Sequence, residues 1–297
     1  MWSDDRVQEF ADAVAGEPGC ARVTDLLLLR EGRVVLARSS TGGAPRDLFS
    51  VTKTVLAILA GIAADQGLLD VDQPITEGQT AYHLLSMTRG AEVGGEFDLD
   101  NVAVRERNWA AAFARSPQRH PPGTRFIYDN GASQLLSQRL HEAVPRGLPA
   151  FADRHLFTPL GIPSPRWDAD PSGVPAGPGH LHLTAHHLAR VGQLLLDDGV
   201  VDGRRLLSSA WVTRMRRRHT KGGPPEGRDY GLGLWLEPNG SFFGAGWAGQ
   251  LLYCRPSDRV VLVTLSDPGF DYGPPATDQL PPGWVAPLAL ARQLNLV

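Results

Sequence analysis

Stretches with strand character lie near both ends of this 297-residue sequence, and the pattern between them is helical. The first two strands are predicted in TDLLLLR and RVVLARS, which Glu31-Gly32 separates as in a hairpin. Four more are predicted in YGLGLWLE, SFFGAG, QLLYCRP and DRVVLVTLS, and the turns between them favour antiparallel pairing. We therefore predict an α/β (α+β) fold: one antiparallel sheet, built from both ends of the chain and flanked by helices, with an inserted, mainly helical region.

Apolar periodicity and capping residues predict the helices. They are expected over residues 6–15, from Ser50 to Gln66, from Gly131 to Ala143, from Thr184 to Leu196, and over the closing segment APLALARQLNLV. The resulting division is an α/β sheet domain of residues 1–74 and 171–297, with a mainly helical domain of residues 75–170.

Composition excludes several function classes. The formal net charge is −3, so no basic field predicts nucleic acid or an anionic membrane as a partner. No apolar run approaches the roughly 20 residues that span a bilayer, and the acidic segment MWSDDRVQEFADAVAG lacks a signal-peptide pattern. Cys20 and Cys254 are expected to be buried thiols. We predict a cytoplasmic monomer or homodimer that acts on a small molecule.

Lysine is nearly absent from the sequence. Of 29 Lys plus Arg residues, only Lys53 and Lys221 are lysines. Arginine cannot lose its proton in a protein, whereas a buried lysine can and then serves as a base. Lys221 lies in the Gly- and Pro-rich stretch HTKGGPPEG, but Lys53 lies in the apolar segment FSVTK, which favours a chemical role for Lys53.

Ser50 and Lys53 are spaced i, i+3 at the start of a predicted helix, which places both side chains on one face. The positive helix end and burial both lower a lysine pKa, and a neutral amine can then take the serine proton. The backbone N–H of Ser50 could also donate to an oxyanion that forms there. The alternative is an ordinary buried helix start with a lysine that extends its ammonium to solvent.

Two further segments carry candidate groups. Tyr128 can act as a base or proton relay beside a lysine, and Asn130 offers a donor and an acceptor to a substrate amide or to Lys53. The small residues around Trp247, including Gly249, let a strand backbone approach a ligand, and an N–H just after them could complete an oxyanion hole. The alternatives are a loop tyrosine packed on the core and a glycine-rich turn.

The order of these segments resembles a known family. Ser-Val-Thr-Lys, Tyr-Asp-Asn and Trp-Ala-Gly follow one another as in the serine β-lactamase and penicillin-binding protein superfamily. The resemblance is to its class C-like esterase and amidase branch, especially 6-aminohexanoate-dimer-hydrolase-like members, and it covers about residues 45–265. It extends to GLLDVDQPI, TAYHLLSMTRG, PPGTRFIYDNGASQLLSQRL, LFTPLGI, HLTAHHLARVGQLLLDDG and GRRLLSSAW.

The resemblance implies a β-lactamase/transpeptidase-like fold with the active site between the sheet and the helical domain. It implies that Ser50 is the nucleophile, Lys53 its base and Tyr128 a proton shuttle. It also implies that Asn130 positions the substrate, and that the N–H groups of Ser50 and Gln250 hold the oxyanion. No cofactor is implied.

The sequence departs from the family pattern in two places. Trp247 stands where the third motif usually begins with lysine or histidine, so the position offers an apolar wall and no cation for a substrate carboxylate. The segment after GLLDVDQPI is also short, which predicts a reshaped or more open cleft.

These features predict a serine hydrolase that cleaves a carboxylic ester or amide through an acyl-Ser50 intermediate. The second reading is an acyltransferase, in which an amine or alcohol substrate intercepts the acyl group instead of water. The third is a binding domain without catalysis, against which the joint presence of Ser50, Lys53 and Tyr128 argues.

A cluster of histidines raises the question of a metal. Four lie close together in the sequence: His180, His182, His186 and His187. Thr184 is predicted to cap the following helix, so the first two precede it and the four do not share one helix face. We therefore predict no metal site.

Overall fold

The computed structural model describes residues 2–76, 78–269 and 285–297. Its helices are α1 (Asp4–Gly16), α2 (Thr52–Asp65), α3 (Ala81–Leu85), α4 (Leu99–Arg105), α5 (Trp109–Ala114), α6 (Asn130–Ala143), α7 (Gly147–Ala152), α8 (Ala185–Leu196), α9 (Ser209–Arg216) and α10 (Val285–Gln293). Its strands are β1 (Val23–Arg30), β2 (Arg33–Ser39), β3 (Arg46–Asp47), β4 (Pro74–Thr76), β5 (Gln79–Thr80), β6 (His182–Leu183), β7 (Val200–Val201), β8 (Arg204–Arg205), β9 (Thr220–Gly223), β10 (Arg228–Tyr230), β11 (Trp235–Leu236), β12 (Phe242–Gly246), β13 (Gln250–Arg255) and β14 (Val260–Ser266).

The main sheet joins the first strands of the described chain to its last. Within the described residues it has eight strands in the order β2-β1-β14-β13-β12-β11-β10-β9, each paired antiparallel to its neighbour. Leu27 lies opposite Val263 and Leu28 opposite Leu262 across the β1–β14 pair. The predicted antiparallel sheet built from both ends is therefore confirmed.

The predicted strand YGLGLWLE is wrong in one respect, because it is two short strands joined by a turn. β10 ends at Tyr230 and β11 begins at Trp235, and the two pair with each other. Gly233, in the turn, has φ +67°, and a Cβ there would lie 2.7 Å from Cβ of Ala57 in α2. Close packing on α2 and a left-handed backbone conformation therefore interrupt the strand.

Helix α2 is the centre of the fold. After its first turn the helix is apolar all round, and every residue from Thr52 to Ala63 is buried, as expected of a helix covered on more than one side. It packs on β12 of the sheet and on α6 of the helical region. The prediction of a helix from Ser50 is nearly right: a 3₁₀ turn, Phe49–Val51, leads into the α-helix at Thr52.

The other helices follow the predicted pattern with small differences at their ends. Thr184 caps α8, since its hydroxyl accepts from the backbone N–H of His187. α10 ends at Gln293, earlier than the predicted closing helix. Most of the helices before α8 lie between residues 81 and 152, and the division into two domains stays a prediction. No helix in the described ranges is long and apolar enough to cross a membrane.

Candidate active site

Ser50 and Lys53 meet at the entry to α2. The Nζ of Lys53 donates to Oγ of Ser50 at 2.8 Å, and it also donates to the carbonyl of Pro178 at 3.0 Å. The 3₁₀ turn followed by an α-helix keeps the two side chains on one face, as the i, i+3 spacing predicts. The close pair that the sequence predicts is therefore present.

Burial controls the charge of this lysine. The Lys53 side chain is almost completely removed from solvent, at 4% relative exposure. Desolvation lowers the pKa of Lys53 to about 7, and the nearby carboxylate of Asp129 raises it in part. Because the pKa is about 7, a large fraction of Lys53 is a neutral amine at neutral pH, which is the form that can accept a proton.

Tyr128 lies beside the same pair. The Nζ of Lys53 is 4.9 Å from the centroid of the Tyr128 ring, which stacks on Trp235 at 5.7 Å between centroids. Burial raises the pKa of the Tyr128 phenol, a hydrogen-bonding interaction with Ser50 lowers it in part, and the charge of Glu226 raises it further. Tyr128 is therefore a neutral phenol at neutral pH, suited to donate or relay a proton.

A buried ion pair that the sequence patterns did not reveal supports the Tyr128 loop. Nε of Arg89 lies 2.7 Å from Oδ2 of Asp129, and Nη1 of Arg89 donates to the carbonyl of Phe113 at 2.9 Å. Both charged side chains are nearly inaccessible to solvent. Arginine is so common in this sequence that nothing distinguishes Arg89 from the other arginines. Its buried partner Asp129 is recognisable in the sequence only as the middle residue of Tyr-Asp-Asn.

Asn130 follows directly and begins α6. Its Oδ1 atom is buried, and among the described residues nothing donates a hydrogen bond to it. A buried carbonyl oxygen without a partner is costly, so this atom suits a donor brought by a ligand, such as an amide N–H.

The third predicted segment is the tight connection between β12 and β13. The β12 backbone lies so close to the turn that carries Ser50 that a Cβ on Gly246 would be 2.3 Å from the carbonyl oxygen of Leu48. Ala248 and Gly249 both have positive φ, at 63° and 104°. Trp247 is 38% exposed and makes an edge contact with Phe49, with 5.4 Å between centroids. The structure thus brings this segment against the Ser50 turn.

Gln250 has a second feature that was not predicted. Its side-chain amide donates to the carbonyl of Ser266 at 3.0 Å and accepts from the Ser266 N–H at 3.0 Å. The carbonyl of Gly249 accepts from the Thr264 hydroxyl at 2.9 Å. These bonds attach the start of β13 to β14 and hold the Gln250 backbone in place beside the turn.

The histidines that raised the metal question have separate partners. Nδ1 of His180 lies 2.7 Å from Oδ2 of Asp47, and Nε2 of His182 lies 3.3 Å from Oδ2 of Asp168. Among residues 2–76, 78–269 and 285–297, no three His, Cys, Asp or Glu side chains are grouped so that they could hold a metal ion.

Glu226 is another titratable group near Tyr128 that no sequence pattern singled out. It lies in the connection between β9 and β10. Burial raises the pKa of Glu226 to about 7, while the Arg228 guanidinium lowers it in part. Nothing in the local sequence GPPEG indicates this position, because the burial arises from tertiary packing.

Comparison with known proteins identifies the family and the fold. The family model described as Beta-lactamase matches residues 8–276. A 6-aminohexanoate-dimer hydrolase of Paenarthrobacter ureafaciens is 26% identical over 284 residues, which cover 82% of this chain and 72% of that protein.

Two solved structures share the fold. The octameric penicillin-binding protein homologue from Pyrococcus abyssi has a TM-score of 0.73 at 19% identity, covering 99% of this chain and 78% of that one. EstCE1, described as a hydrolase with promiscuous acyltransferase activity, has a TM-score of 0.68 at 18% identity, covering 89% and 94%.

These findings confirm the predicted resemblance to the serine β-lactamase and penicillin-binding superfamily, and they confirm the fold class. Since the family model spans most of the sequence, from the first helix to beyond β14, the chain belongs to the beta-lactamase family.

Proposed function

We propose that this protein is a serine hydrolase that cleaves a carboxylic ester or amide through an acyl-Ser50 intermediate. One observation carries the proposal: a buried lysine whose pKa is about 7 donates to the Ser50 hydroxyl at 2.8 Å. Burial of an amine costs folding free energy, and strongly shifted groups of this kind concentrate at functional sites. The 6-aminohexanoate-dimer hydrolase to which this chain is similar is a hydrolase by name, which agrees with this class of reaction.

In the acylation step, neutral Lys53 takes the Ser50 proton as Oγ bonds to the substrate carbonyl carbon. The negative charge that develops on the carbonyl oxygen is held by the N–H groups of Ser50 and Gln250. Tyr128 gives its phenolic proton to the leaving oxygen or nitrogen as the bond from the carbonyl carbon to that atom breaks. The Lys53 ammonium then returns a proton to Tyr128.

In the deacylation step, the acyl group passes from Ser50 to water. Water loses a proton toward Lys53 through Tyr128 while its oxygen bonds to the carbonyl carbon, and Oγ of Ser50 leaves and regains a proton from Lys53. The raised pKa of Tyr128 supports a relay by the neutral phenol instead of a standing phenolate. Asn130 orients the substrate through its buried Oδ1, to which no described residue donates.

The substrate class follows from the surface beside Ser50. Trp247 and Phe49 are in edge contact, so they present adjoining aromatic surface at the position where the family pattern usually has lysine or histidine. We propose that neutral acyl groups are accepted ahead of substrates that need an ionic partner for a carboxylate, such as β-lactams and C-terminal D-peptides.

Acyl transfer to an amine or alcohol is the second candidate. It uses the same acyl-Ser50 intermediate with a second substrate in place of water. The structural neighbour described as a hydrolase with promiscuous acyltransferase activity supports this possibility. The location in the cytoplasm and a monomeric or homodimeric state stay predictions; one structural neighbour is octameric.

The test is covalent labelling with a fluorophosphonate, followed by mass spectrometry of the modified peptide. We expect the label on Ser50 and none on the Ser50→Ala variant, with the exposed Ser257→Ala variant as control. Turnover of neutral esters with and without added amine or alcohol then separates hydrolysis from transfer. A wild type that is neither labelled nor active would overturn the proposal and favour a non-catalytic binding domain. A Ser50→Ala variant with undiminished turnover would overturn the role of Ser50 as the nucleophile.

A further inference from the structure

The Asp47 carboxylate joins the nucleophile turn to the segment that contacts Lys53. Oδ1 of Asp47 accepts from the backbone N–H of Phe49 at 2.7 Å and from that of His180 at 3.0 Å. Oδ2 accepts from Nδ1 of His180 at 2.7 Å. One side chain therefore collects three N–H donors from two segments that are far apart in sequence.

Each of the two segments that Asp47 joins also contains a residue next to Ser50 or in contact with Lys53. Phe49 directly precedes Ser50, and Pro178, two residues before His180, supplies the carbonyl that accepts from Lys53 at 3.0 Å. The Lys53 amine is thus held between Ser50 on one segment and Pro178 on the other. Any change in the spacing of the two segments changes the position of that amine.

The backbone at both contacts is in an unfavourable conformation. Phe49 has φ +43° and His180 has φ +63°, although neither is glycine. Such residues persist only where surrounding contacts hold them, and they concentrate at functional sites. Here the contacts are the three hydrogen bonds to Asp47, together with the pairing of β3 with β6.

We propose that Asp47 and His180 form a clamp that positions Ser50 and Lys53 for proton transfer, so both are positioning residues for the acyl-enzyme step. The proposal rests on the proposed function, since it concerns the same serine and lysine. The clamp acts through geometry, because the three hydrogen bonds of Asp47 go to Phe49 and His180 and not to Ser50 Oγ or Lys53 Nζ.

The charged groups around His180 favour a hydrogen bond from its imidazole to Asp47. The hydrogen bond to Asp47 raises the pKa of His180, burial opposes that rise, and the charges of Asp47, Asp168 and Asp100 favour the imidazolium. In either the protonated form or the Nδ1–H neutral form, Nδ1 donates to Asp47, so the clamp holds through neutral pH.

The test compares two substitutions at one position. Asparagine places a side-chain N–H donor where Nδ1 of histidine lies and tolerates positive φ, whereas glycine tolerates positive φ and keeps only the backbone N–H that donates to Asp47. We expect His180→Asn to keep the maximal rate of Ser50 labelling within about 3-fold of wild type. We expect His180→Gly to lower that rate about 10- to 100-fold with an unchanged dissociation constant for the probe, as slight misplacement of reacting groups does.

The controls distinguish the loss of this clamp from a general loss of packing in the protein. His186→Ala, which removes an exposed histidine of α8 six residues from His180, should label at nearly the wild-type rate. Asp47→Ala should be slow. The Asp47→Ala/His180→Gly double variant should be no slower than Asp47→Ala, since the side-chain bond that His180→Gly removes is one of the three that Asp47→Ala removes.

Equal maximal rates for His180→Gly and wild type would overturn the clamp, as would a His180→Asn variant as slow as His180→Gly. A wild type that is neither labelled nor active would instead overturn the proposed function.

Discussion

At the scale of single residues, the charge state of Lys53 is central. Its pKa of about 7 arises from burial, which outweighs the attraction of Asp129. The amine is mostly protonated below that pH and mostly neutral above it. An enzyme that uses this amine as a base is therefore expected to lose activity on the acid side of neutrality.

We predict that the rate of Ser50 acylation rises with pH through about 7 and then levels off. Lys53→Arg should be nearly as damaging as Lys53→Ala, because arginine keeps the charge but cannot accept a proton. The measurement is the fluorophosphonate labelling rate from pH 5 to 9. A flat profile, or an active Lys53→Arg variant, would show that basicity is not what the lysine supplies.

Burial shifts the pKa of Tyr128 in the opposite direction from that of Lys53: it raises the pKa, so the phenol stays neutral. Tyr128→Phe should slow the chemical step by roughly 10² to 10⁴, as expected for a lost general acid–base group. The ring packing on Trp235 is retained in that variant, so thermal unfolding should change little. An unchanged turnover rate would leave Lys53 to work alone.

Trp247 is expected to set the preference for charge. Trp247→Lys adds a cation beside Phe49 at an exposed position, so it should raise kcat/KM for carboxylate-bearing substrates relative to neutral esters. The comparison is a cephalosporin or a D-Ala-D-Ala peptide against neutral esters in both proteins. If the ratio stays constant, the position does not determine charge preference.

At the scale of elements, β12 approaches the turn before α2 very closely, and we expect the candidate site to depend on that approach. Only a residue without Cβ fits at Gly246, because an added Cβ would be 2.3 Å from a backbone oxygen of Leu48. A backbone oxygen cannot rotate away as a flexible side chain can, so the strand and the turn would have to separate.

We predict that Gly246→Ala reduces Ser50 labelling strongly and lowers the melting temperature, since the β12–β13 connection moves away from the nucleophile turn. Gly16→Ala is a matched control: Gly16 ends α1, and a Cβ there meets nothing within 4 Å. Normal labelling and stability in Gly246→Ala would show that the close approach is not required.

The elements themselves were largely predictable from sequence, and the contacts between them were not. The spacing of Ser50 and Lys53 is local, so helix geometry alone brings them together. The strand break at Gly233 depends on packing against α2, which no local pattern reveals. Arg89 with Asp129, and Asp47 with His180, are pairs distant in sequence, and single polar residues in loops give no signal of a buried partner.

At the scale of the whole molecule, the buried lysine opposes stability. Its pKa is about 7 in the folded protein, whereas the ordinary pKa of a lysine is 10.5, so the unfolded chain binds more protons between these values. The destabilisation from Lys53 is therefore full below pH 7 and decreases as pH rises to about 10.5.

We predict that Lys53→Met, a change to an apolar side chain of similar length, stabilises the protein while abolishing Ser50 labelling. Its gain in free energy of unfolding over wild type should be larger at pH 6 than at pH 9, as measured by urea denaturation at both. A gain that grows with pH would contradict the depressed pKa of the lysine.

The pairing of β1 with β14 has a consequence for the protein during its own synthesis. A ribosome releases β1, α2 and the helices of the middle long before β14, so the sheet has an unpaired edge while translation continues. Gln250, with its anchor Ser266, also emerges late, although Ser50 and Lys53 emerge early. From the release of α2 until that of β14, the nascent chain thus carries Ser50 and Lys53 without the strand of Gln250 in place, and the proposed acylation of Ser50 must wait until β13 and β14 have left the ribosome.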